Sequence, residues 1–201
     1  VLAKRTAEGW RGKGGALIGP LFKALLDRGV EVRVSTPAER LVTDDAGAVL
    51  GVVVGGAERR RIGARKGVVL ACGGFEWSEE MVHTYLGYEV KPLTPWCNTG
   101  DGHLMGMEAG AKLGGMTGFF GYGVVYEPWE KGRDGNPLPQ LIMGLGPGSI
   151  IVNQLGRRFM HGGYTYNDFS HPFNEFDQRG PGFPNKPPAW IVFGASHLEH
   201  G

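Results

Sequence analysis

Two glycine turns carry the most legible chemistry in this chain. The apolar run Val68-Val69-Leu70-Ala71-Cys72 ends in Gly73-Gly74-Phe75, and Thr99-Gly100-Asp101-Gly102 follows about 25 residues later. Glycine at such turns lets backbone N–H groups approach a bulky anionic cofactor closely, and an acid opening a helix adds a polar anchor. Singly, each turn has an ordinary reading: a plain turn for the glycine pair, a helix cap for Asp101. No G-x-G-x-x-G follows a strand, so the chain is expected to hold the later half of a nucleotide-cofactor site. Val1 as first residue points to a natural start further upstream.

Tyr166, in the run Tyr164-Thr165-Tyr166-Asn167-Asp168, reads from its own residues first as a packed aromatic hydrogen-bonded to backbone. A tyrosine titrates near 10 and needs a second tyrosine or a favourable field to act as a base near neutral pH. On a strand, Tyr164 and Tyr166 would share one face. Asp168 reads as a local turn or cap acid. His83, His103, His161 and His171 have no metal-ligand spacing, and no metal is expected. Cys72 and Cys97 make neither a disulfide framework nor a metal motif, which fits a reducing, cytoplasmic setting.

These residues need elements to position them. Leu17, Ile18, Leu21, Phe22, Leu25 and Leu26 form one helical face over residues 16–28, with Gly29 as the stop and Pro20 tolerable only in the first turn. Val30, Val32 and Val34 alternate with Glu31, Arg33 and Ser35, predicting a strand up to Thr36. Leu41-Val42-Thr43 and Val49–Val54 flank the turn Asp44-Asp45-Ala46-Gly47, and residues 58–65 can pair with that hairpin. Val68–Ala71 reads as a strand buried in a parallel sheet. Ser78 caps a helix over 79–86, and Asp101–Leu113 reads as another, weakened by Gly106 and Gly110. Strands are expected at Gly148–Asn153, after the turn at Gly156-Arg157-Arg158-Phe159, and at Trp190–Phe193. Composition changes near residue 115, where aromatics, glycines and prolines take over.

Hydrophobic residues make up 41% of the 201, enough for a packed core. A net charge of +1 leaves no footprint for nucleic acid or an anionic membrane surface. Arg59-Arg60-Arg61 reads as a solvated hairpin edge. No run of about 18 apolar residues marks a membrane span. The 36 glycines lack a repeat and lie among apolar segments, which excludes collagen and argues against disorder.

In combination these segments resemble the flavoprotein family of fumarate reductase, succinate dehydrogenase and 3-ketosteroid Δ1-dehydrogenase. The resemblance rests on Gly29-Val30-Glu31-Val32, Thr36 to Leu41, Val49 to Val52, the two glycine turns and Gly148 to Phe159, and spans residues 12–193. Cys72 stands where the family usually has threonine. The resemblance implies FAD, with Asp101 on the flavin nucleotide, Ala71, Cys72, Gly73 and Gly74 packed against the cofactor beside Thr99 and Gly100, and backbone near Ala38 on the adenine. It implies an α/β plus α+β fold. A partial Rossmann-like FAD domain with a β-hairpin subdomain would span 1–114, and an incomplete substrate (cap) domain 115–201.

The branch is read after Arg157-Arg158-Phe159. Dicarboxylate-handling relatives carry an arginine shortly after Arg-Phe, suited to clamp a carboxylate; here none appears until Arg179. The ketosteroid pattern places a tyrosine there, matched by Tyr166, and the aromatic stretch from Phe119 to Trp129 suits a flat hydrophobic substrate. The implied reaction is removal of two hydrogens α,β to a ketone. Tyr166 acts as base, hydride goes to flavin N5, and an unidentified electron acceptor reoxidises the flavin. The rivals are a flavin-dependent C=C reductase of enoate or fumarate type and a flavin-free binding or scaffold fragment. The piece alone is expected to hold FAD poorly.

Overall fold

The computed structural model describes residue 9 and residues 13–121, 124–131, 137–141, 148–161 and 165–195. It divides into two compact units, Val1–Val68 and Val69–Gly201.

In the first unit, helix α1 spans Lys13–Asp27. Its start precedes the predicted one, so Pro20 lies mid-helix rather than in the first turn. The ring there removes the N–H that would bond the Ala16 carbonyl. The helix ends as predicted at Gly29, with φ +66°. Val30 N–H reaches the Leu25 carbonyl at 3.0 Å and Gly29 N–H the Leu26 carbonyl at 3.0 Å, closing the orphan carbonyls. The apolar face of α1 is present but remains exposed.

The predicted strand at Val30–Thr36 is corrected: this segment joins no sheet. Its local alternation survives, since Arg33 forks onto Glu31 two residues back at 2.8 and 3.0 Å. What it lacks among the described residues is a neighbouring strand to complete a ladder. The hairpin has one. Strands β1 (Ala38–Thr43), β2 (Val49–Val54) and β3 (Arg60–Gly63) form an antiparallel sheet in that order. Asp44 sets the turn by accepting from Ala46 N–H at 3.0 Å and Ala48 N–H at 2.8 Å. Gly51 faces Gly63 across β2–β3, where any Cβ would run into the Ile62 carbonyl.

The second unit opens with a further correction. Residues 68–71 form no strand, and Val69 is 91% exposed. A strand of a parallel sheet needs partners far along the chain. Helix α2 (Glu79–Tyr85) starts where predicted, and Ser78 Oγ accepts from Met81 N–H at 3.3 Å. Helix α3 (Asp101–Glu108) is shorter than predicted, because the chain turns at Gly110 with φ +85°. Met81, Val82, Leu86 and Met105 are buried beneath these helices.

A hairpin of β4 (Val124–Lys131) and β5 (Pro137–Leu141) follows, which the aromatic and proline-rich composition did not foretell. Strands β6 (Ser149–Val152) and β8 (Trp190–Phe193) match the predicted strands, while β7 (Arg158–Met160) starts inside the turn expected at 156–159; the three form one antiparallel sheet with β6 central. Ile151 and Met160 pack with Phe173 of a 3₁₀ turn (His171–Asn174) into a core cluster. Two buried asparagines brace it. Asn153 donates to Asn185 at 2.8 Å and accepts from Leu155 and Arg157 N–H, each at 3.0 Å. The described strands all pair antiparallel, in a mixed helix and strand structure.

Candidate cofactor and substrate site

The fold brings the two glycine turns together. Gly100 N–H donates to the Gly74 carbonyl at 3.0 Å, and Trp77 N–H donates to the Asn98 carbonyl at 3.1 Å. Each turn is built for this approach. Gly73 has φ +90°, and a Cβ there would overlap the Asn98 amide. Gly100 has φ +86° and is buried; a Cβ there would strike Met81 Sδ and lie 3.0 Å from Phe75 Cβ. Gly102 presents its bare Cα side to Cys72, with an added Cβ 3.3 Å from Sγ. Thus α3 starts against residues 70–74.

Asp101 is the first residue of α3, not its cap; the cap is Gly100 in the left-handed conformation. The Asp101 carboxylate is exposed and accepts from Thr99 Oγ1 at 2.9 Å. Ala71, Cys72 and Gly73 are exposed beside it. An exposed carboxylate, the first N–H groups of a helix and a side-chain-free backbone turn form a donor and acceptor set suited to the polar part of a dinucleotide. The residues therefore fit FAD. Ala38 lies in the other unit, at the start of β1, paired with Val54.

Glu76, Thr94 and Asn98 were not singled out from the sequence. Glu76 Oε1 accepts from Thr94 Oγ1 at 2.5 Å and from Asn98 Nδ2 at 2.8 Å. Partial burial pushes this carboxyl up, but the two hydrogen bonds and the nearby His103 outweigh it and hold it below its ordinary value. His103 packs edge-on to Phe75 at 5.5 Å, and its buried Nδ1 has no hydrogen-bond partner. The legible signal was position: Glu76 directly follows Gly-Gly-Phe, and Asn98 directly precedes Thr-Gly-Asp-Gly.

Tyr166 sits in a turn rather than on the strand that would align it with Tyr164, which lies outside the described residues. Its ring lies 4.1 Å from that of Phe120. The aromatic segment and this loop are stitched together. Gly121 N–H donates to the Tyr166 carbonyl at 3.2 Å, and Phe119 N–H to Oγ of the fully buried Ser170 at 3.4 Å. Asp168 is the local turn acid expected, accepting from Thr165 Oγ1 at 3.0 Å. Behind them Tyr88 is wedged near Phe119 and Phe173; burial pushes its hydroxyl up to about 12, opposed in part by Asn174. A cleft of about 410 Å³, lined by Arg157, Arg158, Glu175 and Asp177 among others, does not include Tyr166. Cys72 and Cys97 are free. Among the described residues no helix is long and apolar enough to cross a membrane.

Comparison with known proteins supplies the frame for this geometry. Residues 2–199 match the FAD binding domain family. The chain is 38% identical over 207 residues to 3-oxosteroid 1-dehydrogenase of Mycobacterium tuberculosis, covering 95% of this chain and 34% of that protein. It is 34% identical over 213 residues to 4-oxocyclohexanecarboxylate 2-dehydrogenase of Sinomonas cyclohexanicum, covering 98% and 35%. The crystal structure of 3-ketosteroid Δ1-dehydrogenase from Sterolibacterium denitrificans, in complex with 1,4-androstadiene-3,17-dione, superposes with a TM-score of 0.64 at 31% identity, covering 86% of this chain and 31% of that one. The chain thus spans about a third of the length of these relatives. A family match across nearly the whole chain, on residues whose turns fit a dinucleotide, means that this chain belongs to the FAD binding domain family of flavoproteins.

Proposed function

We propose that this chain is part of an FAD-dependent dehydrogenase that removes two hydrogens α,β to a ketone of a flat hydrophobic substrate. Residues 1–114 serve the cofactor and 115–201 the substrate. The observation that carries the reading is the pairing of the two glycine turns through Gly100 and Gly74, with Asp101 exposed beside them. Relatives named for cyclic ketones support the substrate class.

When bound, FAD supplies the two-electron acceptor that takes the hydride. The chain's residues do the rest. Thr99 holds the Asp101 carboxylate toward solvent, so it can receive donors of the nucleotide. Ala71, Cys72, Gly73, Gly74 and Gly100 offer a wall without bulky side chains. Tyr166 Oη takes the proton adjacent to the ketone, and its contact with Phe120 sets its ring in an aromatic surface. A phenol needs its pKa lowered for that task, so a second donor or cation must face Tyr166 in the substrate complex.

The test is to express the whole reading frame carrying this chain and assay it on 3-ketosteroids and on 4-oxocyclohexanecarboxylate with an artificial electron acceptor. Tyr166→Phe is expected to lower kcat by roughly 10²–10⁴-fold while FAD stays bound. Full activity in Tyr166→Phe removes it as the base. Activity only in the reductive direction, on fumarate or an enoate, replaces the dehydrogenase reading with the reductase one. A whole protein that binds no flavin leaves the scaffold reading.

A further inference from the structure

We propose that Glu76 is a positioning residue for the cofactor: through Asn98 and Thr94 it locks the second glycine turn onto the first before FAD binds. The inference rests on the cofactor reading above and extends it to a residue outside the turns.

The segment between the turns has no regular structure after α2 and carries Pro92 and Pro95. Left to itself, such a loop leaves Thr99-Gly100-Asp101 free to sample many positions. Glu76 removes that freedom at one point. A single carboxylate oxygen receives Thr94 Oγ1 and Asn98 Nδ2, residues 18 and 22 positions downstream. A charged acceptor makes each bond stronger than a neutral one. With Nδ2 committed to Glu76, Asn98 turns its Oδ1 toward Gly73, into the space that a Cβ would fill. The Trp77 N–H then holds the Asn98 carbonyl, and two residues on Gly100 N–H meets Gly74. Trp77 Nε1 adds a 3.0 Å bond to the Thr94 carbonyl. Glu76 takes part in no Lys or Arg ion pair among the described residues, so its charge is spent on these hydrogen bonds. Ordering both turns in advance removes a cost that FAD would otherwise meet on binding.

The experiment uses the flavoprotein made from the whole reading frame, stripped of FAD and titrated with FAD by quenching of flavin fluorescence. Glu76→Ala is expected to raise the FAD Kd about tenfold or more. Glu76→Gln is expected to stay within about threefold, because its amide oxygen still accepts from both partners. Asn98→Asp sets two carboxylates face to face and is expected to match Glu76→Ala. The double variant Glu76→Gln with Asn98→Asp reverses donor and acceptor and is expected to restore affinity. Thermal melting of each stripped variant separates positioning from folding. A Kd raised in Glu76→Ala by more than its melting point accounts for, and restored in the double variant, supports positioning. A Kd unchanged in Glu76→Ala, or a loss that follows the melting point and is not restored by the reversal, overturns it. A wild type that binds no FAD overturns the cofactor reading and this inference together, whereas tight FAD with an indifferent Glu76→Ala overturns this inference alone.

Discussion

The glycine-turn region and the Tyr166 loop are both irregular, yet they are held in different ways. In the first, backbone meets backbone. Positive-φ glycines admit no side chain, and hydrogen bonds from Gly100, Trp77 and Asn98 fix the spacing. In the second, backbone bonds from Phe119 and Gly121 and the turn bond of Thr165 hold the loop, while the Tyr166 ring rests on Phe120 near the surface. A cradle for a large rigid cofactor needs fixed shape. A proton-transfer group needs placement with access to substrate. Substitutions in the first region should therefore act through stability and cofactor affinity, and in the second through turnover.

The largest effect expected from this contrast is the loss of turnover in Tyr166→Phe, with an unchanged melting point as its signature. Next comes Gly100→Ala. Positive φ costs an L-residue about 1–2 kcal/mol. The new methyl also meets Met81 and Phe75, so the total loss is expected at about 2–4 kcal/mol by urea unfolding. Gly148→Ala is the control, with φ +85° and nothing within 4 Å of its Cβ; it should lose only the backbone part. Equal losses at the two sites would mean that the close packing at Gly100 contributes nothing.

The two regions should also separate by pH. Glu76 is held below its ordinary value of 4.5. Its contribution is present above that value and is lost as pH falls through the lower folded-state value. Tyr88 is raised from 10.0 to about 12, so its contribution is present below pH 10 and is lost as pH rises toward 12. Urea midpoints against pH should lose part of the acid slope in Glu76→Gln and part of the alkaline slope in Tyr88→Phe. A slope that survives the substitution assigns it to another group. The smallest effect is expected at Ser78→Ala, which removes the cap bond to Met81 and should cost about 1 kcal/mol without changing FAD affinity.

Much of this arrangement was legible one segment at a time. Asp44 with Gly47 named the hairpin, Ser78 named the start of α2, Gly29 named the end of α1, and β6 and β8 fell where their apolar runs lay, whereas β7 began inside the expected turn. Each of these signals acts over a few residues, through a cap, a turn or an alternation. Val30–Thr36 and Val68–Ala71 carry equally good strand patterns and form no ladder. Pattern fixes which face of a strand is apolar; a ladder needs a second backbone. Glu76 was missed for a related reason: an acid after Gly-Gly-Phe looks like any surface glutamate until Thr94 and Asn98 are brought to it.

The sequence by itself pointed to the cofactor class, through the resemblance that its segments carry in combination; taken singly, each glycine turn has an ordinary use as a turn or a helix cap. It also shows that no arginine lies between Phe159 and Arg179. Only the tertiary structure decided that the turns touch, that a carboxylate between them holds the loop, and that Tyr166 rests on Phe120 rather than beside Tyr164 on a strand. Those contacts join residues tens of positions apart, and no local propensity encodes a distance across folded space.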